Sequence, residues 1–301
     1  MTRTPLRISL LHATYRREGG PLEVKRAWLD AAVDPSTIEY VFAMDDDDID
    51  SLRETAGHLR AVGPGGSDVV TSVRNWNAAA AIATGDLLVV VADDLFPPPA
   101  WDLQLMEMVY ELDPRSLAFA LKLADSAEDV GPDLPPIARG GPPLLRHPVV
   151  SRAFYSKLGL FSPRFSGVFC DNDITLRAFW KAAIFDGRTL RLDHRHPTLD
   201  SCHPSSESQR LVNATDEFRR GQEALHELWS RRQRAVSTRL LGIPGRRRLT
   251  NRQVLVLSRW VRLQSLGSFW WGYVRRRGKA AALLIFQPRR LQARVRRPDS
   301  E

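Results

Sequence analysis

The chain has 301 residues and a formal net charge of +8, room for one large α/β domain plus an appendage. Two cysteines, Cys170 and Cys202, with no C-x-x-C pair, exclude a disulfide framework or zinc ribbon and suit a reducing cytoplasm. No apolar run approaches the length of a membrane span, and Ile8 to Leu11 is too short for a signal peptide.

In chain order, Arg7 to Leu11 reads as a first strand that ends at His12-Ala13-Thr14. Leu22 to Val33 has helical spacing, with Leu22, Ala27, Leu29 and Val33 on the apolar side. Ile38 to Met44 is a second strand running into Asp45-Asp46-Asp47-Asp48. Those four acids fail the calcium-loop pattern: counting from Asp46, the sixth position is Ser51 and the twelfth is Gly57. Asp45 is expected to hydrogen-bond a ligand, and Asp47 and Asp48 to cap a helix starting near Ile49. Val69 to Val73 reads as a third strand. Asn75 to Ala83 reads as a helix stopped by Gly85. At its entry, Arg74 and Asn75 suit a diphosphate, or Asn75 and Asn77 merely cap the helix.

Leu87 to Val91 is a continuous apolar run, read as a buried strand, and it opens onto Asp93-Asp94. Two charges at the mouth of a buried strand are costly unless paired. Mg²⁺ or Mn²⁺ would take the carboxylate oxygens and keep positions open for substrate phosphates. The alternative is a pair of Asp residues capping a loop. Residues 131–148 are rich in Pro and Gly and read as a loop over the cleft. Order resumes from Val149 to Leu160.

Cys170-Asp171-Asn172-Asp173 then opens a helix. Asp173 and Arg177 are spaced to pair on one face. Asp171 stays available to accept a proton from an attacking hydroxyl, or else caps the helix. Leu190 to Leu192 is a short strand leading to Asp193-His194-Arg195-His196, where an imidazole can complete a cation's shell. With Cys202 and His203 nearby a zinc site is conceivable, but the spacing matches no standard pattern. Ala214 to Trp229 is an amphipathic closing helix. Strands alternating with helices imply an α/β fold with a mostly parallel sheet flanked by helices, whose ligands sit beyond the carboxyl ends of the strands.

Charge divides the chain. From Arg231 to Glu301 there are 19 basic residues and two acids, a net +17 that leaves −9 on residues 1–230. In the basic part Arg alternates with Leu255, Leu257, Trp260, Leu263, Trp270, Trp271 and Tyr273. This pattern suits peripheral binding to an anionic membrane surface, or helices packed on the domain with Arg outward.

Together these motifs resemble the GT-A nucleotide-sugar glycosyltransferases, in particular the bacterial family 2-like group, over roughly residues 5–225. Ile8 to Arg16 resembles the family's opening nucleotide-binding segment, implying donor contacts from His12, Ala13, Thr14 and Arg16. Asp45 falls where the family contacts the nucleobase. Arg74-Asn75-Trp76-Asn77-Ala78 and Ala83-Thr84-Gly85-Asp86 resemble its next donor segment. Ala92-Asp93-Asp94 falls on its D-x-D motif, either with Val91 where the first Asp would stand or with the motif shifted to Asp93-Asp94. The resemblance leaves open which carboxylate holds the ribose and which the metal; Asp93 is assigned to the nucleotide and Asp94 to the metal. Phe169-Cys170-Asp171-Asn172-Asp173-Ile174 with Arg177 resembles its base segment, with Asp171 as the base and Cys170 in place of a Glu. His196 falls where the family often has a metal-binding His.

The resemblance implies a GT-A domain over residues 1–229 with a basic helical extension over 230–301. The implied activity is inverting sugar transfer from a nucleoside-diphosphate sugar to a hydroxyl of a glycan or lipid-linked saccharide. It would be dependent on Mn²⁺ or Mg²⁺ and cytoplasmic, on the inner membrane face where the tail engages. The rival readings are a phosphoryl-transfer or nucleic-acid-binding protein using the tail, and a degenerate binding module. The acidic first 230 residues disfavour a polyanionic partner.

Overall fold

The structure, a computed structural model, describes residues 5–17, 20–66, 70–110, 112–125, 144–181, 183–195 and 215–229. The basic extension and His196 lie outside the described residues, as do Cys202, His203 and most of the Pro/Gly-rich segment.

Among the described residues seven strands form the main sheet: β1 (Ile8–Ala13), β2 (Ile38–Asp45), β3 (Arg60–Gly63), β4 (Leu87–Val91), β6 (Ala120–Ala124), β7 (Val149–Ser151) and β8 (Ile184–Arg191). Their spatial order is β3-β2-β1-β4-β7-β6-β8. Only β7 runs against its neighbours, pairing antiparallel with β4 and β6. The other strands therefore deliver their carboxyl ends to one edge. Two short strands, β5 (Leu95–Phe96) and β9 (Asp193–His194), form a separate antiparallel pair above that edge. This is the mostly parallel α/β sheet expected from the alternation of elements.

The buried strands sort their side chains with period two. Ile8, Leu10, Phe42, Met44, Leu87, Val89 and Val91 face a layer built from α1 (Pro21–Asp30) and α4 (Trp101–Val109), where Val24, Trp28, Trp101 and Leu105 are buried. Leu11, Val41, Ala43, Leu88 and Val90 face the opposite layer. That layer contains α3 (Ser72–Ile82), α5 (Arg152–Leu158), α6 (Cys170–Trp180) and α7 (Thr215–Trp229). The remaining helix, α2 (Ile49–Glu54), is capped by Asp48, whose side chain accepts from the Ser51 amide at 3.2 Å. That is the capping role expected of Asp48; Asp47 instead receives Arg16 at 3.3 Å.

Three expectations are corrected. The third strand is Arg60–Gly63, not Val69–Val73: Val70 and Thr71 are irregular, Ser72 and Val73 open α3, and Val69 lies outside the described residues. As an edge strand β3 pairs on one side only and leaves Val62 half exposed, so it carries no continuous apolar run. Gly85 is not a left-handed helix stop; α3 ends at Ile82 on an extended Ala83. Gly85 is required because β1 presses on it: a Cβ there would sit 2.5 Å from Ser9 Oγ and 2.7 Å from its amide nitrogen. The first helix ends at Asp30 and leaves Val33 exposed, because Asp34 caps a short 3₁₀ turn that turns the chain into β2.

Two tryptophans tie the α1/α4 layer to the strand that carries the acid pair. Trp28 and Trp101 pack edge to face with centroids 5.0 Å apart. The Trp28 indole donates to the Leu95 carbonyl at 2.9 Å, and Trp101 donates to the Trp28 carbonyl at 2.8 Å. Leu95 begins β5 directly after Asp94, so these bonds fix where Asp94 emerges. Trp28→Ala should cost about 3–5 kcal/mol, seen as a lower urea midpoint with little change in the slope.

Candidate active site

Asp45 ends β2 and is completely buried. Its Oδ1 accepts from Arg74 at 2.5 Å and from Asn75 at 2.7 Å, and its Oδ2 accepts from the Thr71 hydroxyl at 2.6 Å. Arg74 also donates to the Pro64 carbonyl. The three residues assigned to the donor, Asp45, Arg74 and Asn75, are thus one cluster that welds α3 to the end of β2. Neither Asn caps α3: Asn77 exchanges two hydrogen bonds with the Phe161 backbone, each 3.0 Å. The cap position is Thr71.

One strand over, β1 continues through Ala13, so His12 lies inside a strand rather than in a loop. It is completely buried. Its Nε2 meets Asp93 Oδ1 at 2.9 Å, and its Nδ1 meets the Tyr40 hydroxyl at 2.9 Å. Thr14 follows, with its amide on the Ala43 carbonyl at 3.0 Å and its buried hydroxyl without a hydrogen-bond partner among the described residues. The Arg16 amide donates to Asp48 at 2.7 Å. Arg17 reaches the Asp93 carbonyl at 2.5 Å. His12, Ala13, Thr14, Arg16, Asp45, Arg74, Asn75 and Asp93 therefore gather at one edge, over the ends of β1, β2 and β4.

Asp93 and Asp94 point to different partners. Asp94 Oδ2 stands 2.9 Å from His194 Nε2. The β5–β9 pairing makes this contact, since Leu95 lies opposite His194 and the Arg195 amide donates to the Asp94 carbonyl at 2.8 Å. His194 Nδ1 lies 3.2 Å from the Asp125 backbone carbonyl, which can only accept, so Nδ1 carries a hydrogen. The hydrogen bond to Asp94 raises the His194 imidazole above its ordinary value, against the opposing effect of burial.

Among the described residues no three His, Cys, Asp or Glu side chains cluster as a ready metal cage. The pair nevertheless suits a cation that takes its remaining ligands from phosphate and water. Asp94 and His194 Nε2 would hold such a cation once the proton shared in their 2.9 Å contact is given up. Holding Nδ1–H on a carbonyl is the usual way to aim Nε2 at a metal.

Beyond β4, the end of β6 adds residues that sequence reading passed over. Asp125 is buried, with Lys122 Nζ at 2.8 Å, His147 Nδ1 at 3.3 Å and Arg146 at 3.9 Å. Burial pushes the Asp125 carboxyl up. The His147 hydrogen bond and the Lys122 charge more than offset that and hold it well below the usual carboxylate range. The rings of His147 and His194 stand edge to face, 5.8 Å apart. The signal for this cluster was a Lys inside the apolar run Phe119 to Ala124.

Asp171 sits in the first turn of α6, bonded to the Asn172 amide at 2.8 Å. Burial raises its carboxyl above the ordinary range, while the charges of Arg146 and His147 work against that rise. Those same two residues flank Asp125, so Asp171 shares charged neighbours with the Asp125 cluster. Asp173, as expected, is engaged: Arg177 donates to it at 2.7 Å and the Trp229 indole at 2.8 Å. Cys170 is buried, and that burial pushes its thiol well up.

Neither a family model nor a curated protein sequence matches the chain. Solved structures with a similar fold include S. aureus TarS in complex with UDP, 14% identical with a TM-score of 0.43, over 91% of this chain and 92% of that one. A second is glucosyl-3-phosphoglycerate synthase from Mycobacterium tuberculosis, in complex with Mn²⁺, UDP and glucosyl-3-phosphoglycerate. It is 16% identical with a TM-score of 0.42, over 69% of this chain and 77% of that one. A third is the mannosyltransferase PcManGT from Pyrobaculum calidifontis, in complex with GDP-Man and Mn²⁺. It is 14% identical with a TM-score of 0.48, over 96% of this chain and 83% of that one.

The raised Asp171 carboxyl has a thermodynamic consequence. A group that holds its proton more tightly when folded contributes stability below the ordinary carboxylate range, and loses it as pH rises through the raised value. Asp171→Asn should therefore raise the urea midpoint at neutral pH, and the gain should shrink toward about pH 4. An unchanged midpoint at both pH values would show that the folded chain does not perturb this carboxyl.

Proposed function

We propose that the chain is a nucleotide-sugar glycosyltransferase of the GT-A kind, which moves a sugar from a nucleoside-diphosphate donor to an acceptor hydroxyl with inversion. The observation that carries this reading is the convergence, on one edge of the parallel strands, of Asp93 and the Asp94–His194 pair, to which the raised carboxyl of Asp171 on α6 would be added. Each has a different environment and therefore a different use.

In this reading the donor nucleotide lies over the ends of β1, β2 and β4, with Asp93 and Thr14 toward its sugar hydroxyls. The Asp45–Arg74–Asn75 cluster forms the wall that shapes the nucleoside pocket. Asp94 and His194 hold Mn²⁺ or Mg²⁺, which when bound neutralises charge on the departing diphosphate. Asp171 accepts the proton of the acceptor hydroxyl as its oxygen attacks the anomeric carbon. The bond from that carbon to the diphosphate oxygen breaks on the opposite side, and the electron pair leaves with the diphosphate. A raised carboxyl favours this role, because a base works best when its proton affinity approaches the working pH.

The test is a screen of UDP-, GDP- and dTDP-sugars for metal-dependent hydrolysis or transfer, with three variants beside the full chain. Asp94→Ala and His194→Ala should abolish the Mn²⁺-dependent part of nucleotide binding while the fold survives. Asp171→Asn should cut transfer by roughly 10²–10⁴ and leave the nucleotide Kd nearly unchanged. Nucleotide binding indifferent to Mn²⁺ in every protein would overturn the metal assignment, and full transfer by Asp171→Asn would move the base elsewhere.

The net +17 of residues 231–301 supports a second element of the proposal, peripheral attachment to an anionic bilayer that brings the site to a lipid-linked acceptor. Among the described residues no helix is long and apolar enough to cross a membrane. The full chain should sediment with anionic vesicles and release with rising salt. A chain ending at Trp229 should stay in the supernatant and keep donor binding. Equal sedimentation of the two would favour tail helices packed on the domain.

A further inference from the structure

We propose that Tyr40 and His12 form a buried positioning relay for Asp93, setting its carboxylate in advance to receive hydroxyl groups of the donor nucleotide. The proposal rests on the reading above in which Asp93 contacts that nucleotide.

The starting point is a break in pattern. Along β1 the positions facing the α1/α4 layer are Ile8, Leu10 and then His12, completely buried. An aliphatic residue would continue the layer at no electrostatic cost. A buried imidazole loses hydration at both nitrogens and needs two partners. It has both, one deeper in the core and one at the cleft. Tyr40, 7% exposed on the neighbouring strand, meets Nδ1 at 2.9 Å. Asp93, whose side chain keeps 27% of its surface exposed, meets Nε2 at 2.9 Å. The chain of contacts thus runs from the apolar core to the binding edge and stops on a carboxylate that solvent still reaches.

The hydrogen positions follow from the chemistry of the groups. A carboxylate only accepts, so Nε2 carries the hydrogen that goes to Asp93 Oδ1. Burial, assisted by the Asp93 charge, pushes the Tyr40 phenol well above its ordinary value, so it keeps its proton. In the neutral imidazole Nδ1 is then the acceptor, and the Tyr40 O–H donates to it. The imidazole is held in place by its neighbours, with the Tyr40 ring 5.8 Å away edge to face and the Phe42 ring at 5.6 Å.

Three contacts then hold Asp93. His12 holds Oδ1, the Tyr15 amide touches Oδ2 at 3.4 Å, and Arg17 holds the main-chain carbonyl at 2.5 Å. Oδ2, with one long contact, keeps acceptor capacity toward the cleft. The preceding residue on that segment is Thr14, whose buried hydroxyl has no hydrogen-bond partner among the described residues. A carboxylate already fixed in rotamer and plane loses less freedom when it accepts a ligand hydroxyl, so the relay acts on affinity through Asp93 without touching the ligand. His12 and Tyr40 are positioning residues in this scheme.

The experiment measures, by titration calorimetry in Mn²⁺, the Kd of the full chain for UDP and GDP and for their 2′-deoxy and 3′-deoxy forms. The proteins are wild type, Tyr40→Phe, His12→Leu, His12→Gln, Asp93→Ala and the Tyr40→Phe/Asp93→Ala double variant. The wild type should prefer the ribonucleotide it binds over at least one deoxy form. Tyr40→Phe and His12→Leu should lose about tenfold in affinity for the ribonucleotide, the scale of one hydrogen bond, and lose nothing for that deoxy form. His12→Gln, which retains an amide N–H at the far end of the side chain, should recover most of the preference. In the Asp93→Ala background, Tyr40→Phe should have no further effect.

Equal weakening of ribo and deoxy nucleotides would reduce the relay to a structural feature and overturn the proposal. So would a Tyr40→Phe effect that persists without Asp93. Loss of the preference in Asp93→Ala alone, with His12→Leu and Tyr40→Phe unaffected, would overturn the relay while leaving the assignment of Asp93 intact. A wild-type chain that binds no nucleotide would overturn the underlying functional reading, and this proposal with it.

Discussion

Carboxylates at the ends of buried parallel strands dominate this molecule. Asp45, Asp93, Asp94 and Asp125 all stand at or just past the carboxyl ends of β2, β4 and β6, and each must recover the hydration it has lost. The fold provides each with a different set of partners. Asp45 takes Arg74, Asn75 and Thr71. Asp93 takes His12, Asp94 takes His194, and Asp125 takes Lys122 and His147. The elements around the edge are where they are largely because they deliver these partners.

The consequences differ with burial. Asp45 and Asp125 are sealed and heavily bonded, so they act as joints: one ties α3 to β2, the other ties β6 to the segment carrying Arg146 and His147. Asp93 and Asp94 remain partly exposed, and each stands against an imidazole. Asp171 is the counter-example on α6, a carboxyl whose burial is not fully compensated. The chain thus holds sealed, partly exposed and under-compensated acids. That graded set suits a reaction that needs a scaffold, a polar ligand grip and a base at once.

The main-sheet packing and the small β5–β9 pair do separate work. The sheet is held by two apolar layers whose side chains alternate along every central strand. In the β5–β9 pair Leu95 and Phe96 are buried in the α1/α4 layer, and the pairing brings together Asp94 and His194, a hundred residues apart in sequence. Trp28 and Trp101 anchor its first strand within the α1/α4 layer, so the geometry of the acid pair depends on the packing of that layer.

Local chemistry in the sequence determined the central strands, the α/β class, the acid pair at the mouth of β4, the Asp48 cap and the Asp173–Arg177 pair. Each is set by neighbours within a few residues: an uninterrupted apolar run, an i,i+4 spacing, a cap three residues from its amide. Edge strand β3 was not legible, because a strand paired on one side needs no apolar run. The entry of α3 was misread because Thr71 and Asn75 are held by Asp45, which lies in another element. Only the tertiary structure decided that Asp45 binds Arg74 and Asn75, that His194 faces Asp94, and that His12 is a core residue joined to Tyr40 and Asp93. Those contacts span 28 to 100 residues of sequence, and the strand order that makes them leaves no periodic mark on the chain.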